Sequence, residues 1–87
     1  MTADPEKYRL VKVTWQDSRH PFSGWQWIDE MKEIEPTICE SVGWLVKEDE
    51  KVLILAASIT TDSDGDSQVS GVVDIPKRAI DDVEDLA

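Results

Sequence analysis

The feature that most constrains this chain is a pair of short apolar runs separated by one acidic, glycine-bearing turn. Val52-Leu53-Ile54-Leu55-Ala56-Ala57-Ser58-Ile59 lies between Lys51 and Thr60, and the run from Val69 to Ile75 is stopped by Pro76. Both have strand length and strand composition, and Asp64-Gly65 between them is a strong hairpin signal. Two loop lengths compete. A two-residue loop at Asp64-Gly65 pairs Leu55 with Asp74 and Ile59 with Ser70. A three-residue loop Ser63-Asp64-Gly65 pairs Leu53 with Ile75, Leu55 with Val73, Ala57 with Gly71 and Ile59 with Val69. The longer loop aligns both apolar rows on one face and puts Gly65 where such a hairpin needs a left-handed residue, so it is the expected register. The opposite face then sets Ile54, Ala56, Ser58 and Thr60 against Asp74, Val72, Ser70 and Gln68, a half-apolar surface suited to a contact between copies.

The remaining segments extend this hairpin into a small, mainly β unit. Residues 1–7 are polar, contain Pro5 and read as a flexible lead-in to a single domain over residues 8–87. Alternation from Tyr8 predicts a first strand with Val11, Val13 and Trp15 inward, followed by a loop over Gln16 to Gly24. Ser23 and Gln26 form a capping-box spacing, and Trp27, Ile28, Met31 and Ile34 follow at helical intervals, which predicts a short helix ending before Pro36 and covering one end of the sheet. Ile38 to Val46 reads as a second strand with Val42, Trp44 and Val46 inward. A turn at Asp49-Glu50 would set Val46 opposite Leu53, Trp44 opposite Leu55 and Val42 opposite Ala57, with Gly43 a candidate bend or bulge. For the tail, a tight turn at Lys77-Arg78 followed by a closing strand is favoured over a helix carrying Ala79, Ile80, Val83 and Leu86.

Charge excludes several functions. The 87 residues hold 9 Lys and Arg against 19 Asp and Glu, a net charge of -10. That disfavours nonspecific binding to nucleic acid or to an anionic membrane, because cations neutralising phosphates supply most of such affinity. One cysteine rules out an internal disulfide and suits a reducing compartment, and no apolar run approaches the ~20 residues of a membrane-spanning helix. A cytoplasmic protein is expected.

Four or five short antiparallel strands with one short helix fit an SH3-like or Sm-like barrel. Ile75-Pro76-Lys77-Arg78-Ala79-Ile80 resembles the last-turn region of such barrels, and Ser41-Val42-Gly43-Trp44-Leu45 resembles strands of small phage-encoded proteins. The resemblance implies a barrel and action in the host cytoplasm; a homo-oligomer is expected from the half-apolar face of Ile54, Ala56 and Val72 and from open edge strands. Sm-like relatives form rings on RNA, a ligand that the acidity of this chain opposes.

No residue pattern points to catalysis. His20 and Cys39 are the only residues of their kinds, and no group is identifiable that would orient them as a nucleophilic pair. Asp62, Asp64 and Asp66 are spaced like calcium ligands. Counting from Asp62, however, Ser67 stands where the loop glycine belongs and Val73 where the closing glutamate belongs, so a solvated hairpin tip is expected. Neither a metal nor another cofactor is implied. The four tryptophans are more informative: Trp15 and Trp44 read as core, while Trp25 and Trp27 follow a loop carrying Arg19 and His20. Stacking on an indole is worth about 1–3 kcal/mol per base, so Arg19, His20, Trp25, Trp27, Lys77 and Arg78 are the candidate binding residues for a small, nucleotide-like anionic ligand, as in a phage accessory or counter-defence factor that sequesters it. The competing reading is an acidic inhibitor that imitates nucleic acid and binds a basic host protein, resting on the net charge and on Asp81, Asp82, Glu84 and Asp85.

Overall fold

The computed structural model describes residues 8–18, 24–31 and 35–86. Five antiparallel strands form one sheet: β1 (Arg9–Asp17), β2 (Thr37–Glu48), β3 (Val52–Thr61), β4 (Ser67–Pro76) and β5 (Ile80–Asp85), in the order β4-β3-β2-β1-β5. The fold is mainly β, as expected. No ladder joins β4 to β5 among the described residues, so the sheet is not closed by hydrogen bonds. It is nevertheless strongly coiled. A flat five-stranded sheet would hold its edges about 19 Å apart, at ~4.8 Å per strand, whereas the link from Pro76 to Ile80 spans at most ~14 Å even when extended. That link is a single 3₁₀ turn, Lys77–Ala79, tied back to the β2–β3 turn by the Lys77 amide donating to the Lys51 carbonyl at 2.8 Å. The predicted turn and last strand are both present. Among the described residues, no helix is long and apolar enough to cross a membrane.

The central hairpin has the predicted register. Leu53 faces Ile75, Leu55 faces Val73 and Ile59 faces Val69, while the Asp62 amide donates to the Asp66 carbonyl at 2.9 Å, leaving Ser63-Asp64-Gly65 as the loop. Gly65 takes φ +86°, the left-handed region that residues with a Cβ avoid. Asp62 holds the tip from inside, its Oδ1 accepting from the Asp64 and Asp66 amides at 3.0 and 2.9 Å.

The β2–β3 register differs from the prediction, for two local reasons. First, the turn sits one residue further along, at Glu50-Lys51. Asp49 Oδ1 accepts from the amides of Lys51 (2.8 Å) and Val52 (2.9 Å), and the Asp49 amide donates to the Val52 carbonyl at 3.0 Å. These two bonds to the ionised form hold the Asp49 carboxyl below its ordinary pKa. Second, the ladder steps from Lys47↔Ile54 to Leu45↔Leu55, so Val46, rather than Gly43, is the bulged residue. Since side chains alternate, the row expected inward, Val42, Trp44 and Val46, gives way to Gly43 and Leu45. Val42 is 58% exposed, while Gly43 is buried against Val11 of β1 and a Cβ there would lie 2.8 Å from the Ala56 carbonyl oxygen.

The core is the concave face of the coil. Val11 and Val13 of β1, Leu53 and Leu55 of β3 and Ile75 of β4 are buried, with Trp15, Leu45, Val73 and Ile80 packed around them. Fully burying a Val, Leu or Ile side chain contributes about 1.5–3 kcal/mol, so these few residues carry most of the folding energy of so small a unit. Trp15 faces inward as expected, and its indole Nε1–H donates to Ser41 Oγ at 3.0 Å. Trp44 does not join it. It lies opposite Leu10 and Ala56, on the other face. The contact surface expected there is also smaller than the sequence implies: Ala56 is already buried and Ile54 half-buried, leaving Val72 exposed beside them.

The predicted helix after Ser23 is absent among the described residues. A single 3₁₀ turn, Ile28–Glu30, takes its place, and Ser23 and Ile34 lie outside the described residues, as does the lead-in over residues 1–7. Trp27 caps the turn without a side-chain hydrogen bond, and Met31 is already back in extended conformation at ψ 128°. One turn fixes several backbone angles for few hydrogen bonds, so a helix here would need its apolar stripe packed against the sheet. Ile28 and Met31 are 83% and 54% exposed, so that packing is missing.

Candidate interaction site

Gly24 to Met31 forms an arm on which the side chains ordinarily kept inside are outside. Trp25 is 102% and Trp27 77% exposed, and the arm's Asp29 and Glu30 lie in the first turn after Trp27. The Glu30 amide donates to the Trp27 carbonyl at 3.0 Å and the Met31 amide to the Ile28 carbonyl at 3.2 Å, so the turn brings Glu30 back toward Trp27. A shallow cavity of about 390 Å³ is lined by Trp25, Gln26, Trp27 and Glu30. Tryptophan is highly buried on average, and two exposed rings with Glu30 at their shared cavity are suited to an apolar pocket with a basic rim.

The six residues predicted as a ligand site do not converge where they are described. Arg19 and His20 lie outside the described residues. Lys77 is held by Glu48, Nζ to Oε2 at 3.0 Å, beside the β2–β3 turn. Arg78 has no ion-pair partner among the described residues, and it reaches a cavity of about 520 Å³ shared with Gln16, Asp17, Ser18, Glu35 and Pro36. None of these residues lines the tryptophan cavity, so indoles and guanidinium are separate features. Two carboxylates also face the Arg78 cavity, which weakens its field for an anion. Cys39 is half-buried on β2, with its Sγ 3.9 Å from the Thr37 carbonyl.

Acidity is concentrated on β5, where Asp81, Asp82, Glu84 and Asp85 occupy four of six positions. Strand β1 offsets part of it. Arg9 pairs with Asp85 at 2.7 Å, Lys12 with Glu84 at 3.2 Å, and Gln16 Nε2 donates to Asp81 at 3.0 Å. The hydrogen bond to Glu84, with the charges of Glu84 and Glu40 behind it, raises the Lys12 pKa above 10.5. The exposed arm was only half legible in the sequence: Trp25 and Trp27 stood out by type, but their joint exposure follows from a helix that does not form. No protein-family model, curated protein or solved structure matches the chain.

Proposed function

We propose that this chain is a non-catalytic module that binds a basic protein, an acidic inhibitor whose charge imitates nucleic acid and whose tryptophan arm supplies the apolar anchor. The observation that carries it is the joint exposure of Trp25 and Trp27 beside Asp29 and Glu30 on a chain of net charge -10. Aromatic side chains bury about 150–250 Å² each and dominate interface hot spots, and the carboxylates steer a cationic partner onto them. We read the fold as an SH3-like barrel, supported by the coil and by the 3₁₀ turn between its edge strands, and we assign its action to a host cytoplasm.

The test is retention of partners from lysate on immobilised protein at ~0.01 M and ~1 M salt, where the screening length falls from about 30 to 3 Å. A basic protein held at low salt, released at high salt and lost on Trp25→Ala/Trp27→Ala is the expected result. Retention indifferent to both treatments, or no basic protein at low salt, would sink the reading. A nucleotide-like ligand is a second reading, favoured by Arg78, without an ion-pair partner among the described residues, at a cavity shared with Gln16 and Ser18. It calls for a rise in melting temperature with millimolar nucleotide, abolished by Arg78→Ala.

A further inference from the structure

The two edges of the sheet have opposite chemistry. An edge strand presents unpaired N–H and C=O groups, and proteins blunt such edges with charge, proline, bulges or brevity. β5 is guarded by its four carboxylates. β4 is not: from Ser67 to Val73 it carries no charged residue, in a chain where 32% of residues are charged. It runs for ten residues, and its only proline, Pro76, is the last of them. Gly71 takes φ +65° without slipping the ladder, because Ala56↔Val72 and Ser58↔Ser70 keep one register on either side. Val69 and Val72 are 44% and 49% exposed, and a cleft of about 160 Å³ runs along the strand between Ile59, Thr60, Gln68 and Val69.

We propose that two copies of this chain pair β4 with β4, antiparallel across a two-fold axis, continuing two five-stranded sheets into one. Such an edge is self-complementary, since each strand offers the donors and acceptors that the other lacks. Charge selects this occupant. Two β5 edges would set carboxylates against carboxylates, and a basic protein gains nothing from the uncharged stretch Ser67–Val73, whereas two copies of that stretch meet without an ion to desolvate. The axis falls in the Ser67–Val72 half, away from Pro76, where the 3₁₀ turn leads into acidic β5. The tryptophan arm plays no part, so this proposal and the binding of a basic protein stand or fall separately.

Light scattering at tens of micromolar protein should give about twice the monomer mass of 9.8 kDa. Ser70→Lys, which puts like charges face to face near the axis, should weaken the dimer roughly tenfold or more, while Asp82→Ser on β5 should leave it intact. Should Ser70→Lys fail to fold, Gln68→Lys tests the same edge. A monomer at that concentration, an assembly larger than a dimer, a dimer unaffected by the folded lysine variant, or one dissociated by Asp82→Ser would each overturn the proposal.

Discussion

Three glycines show how differently one residue type is used. Gly65 takes φ +86° in open space, so Gly65→Ala meets only the conformational penalty of the left-handed region, about 1–2 kcal/mol. Gly71 combines φ +65° with a Cβ that would lie 2.7 Å from Ala57 Cβ, so Gly71→Ala should cost more than Gly65→Ala. Gly43 has no positive φ and is buried by close approach, where an added Cβ would lie 2.8 Å from the Ala56 carbonyl oxygen, so Gly43→Ala pushes β2 off β3 at about 1–3 kcal/mol. Urea unfolding should place Gly71→Ala below Gly65→Ala in midpoint. An Asn at position 65, tolerant of the left-handed region, should recover part of the loss where an Asn at 71 should not.

Strand β2 shows how a single residue decides the inward face of an element. The turn displaced by the Asp49 carboxylate and the bulge at Val46 together put Leu45 rather than Trp44 opposite Leu55. Leu45→Ala should therefore cost about 2 kcal/mol, at the low end for leucine because the site is only partly buried, while Val42→Ala should stay within roughly 0.5 kcal/mol. The reverse order in a denaturation experiment would restore the register first read from the sequence. The β3–β4 hairpin was legible because glycine fixed its loop. The β2–β3 connection has no glycine to announce the turn, and a side-chain cap and a bulge leave no periodic trace.

Across the whole molecule, acidity opposes compactness. With 19 carboxylates against 9 basic residues, the folded chain repels itself, and only three ion pairs relieve it among the described residues. Raising salt from about 0.01 to 0.5 M screens that repulsion more than it weakens exposed pairs, so the melting temperature should rise, on a scale of about 4–8 °C per kcal/mol relieved. A fall in calorimetric melting temperature would mean that the pairs between β1 and β5 outweigh the net charge. What the sequence determined alone is what local chemistry dictates: the strand period, the glycine turn at Gly65, the inward row of Val11, Val13 and Trp15, and the turn before a last strand. Only the tertiary structure decided which residues of β2 face the core and that Ile28 and Met31 stay exposed. It alone set acidic β5 and the uncharged stretch Ser67–Val73 of β4 at opposite edges. Each of these depends on which backbone lies alongside, a non-local pairing that no stretch of letters contains.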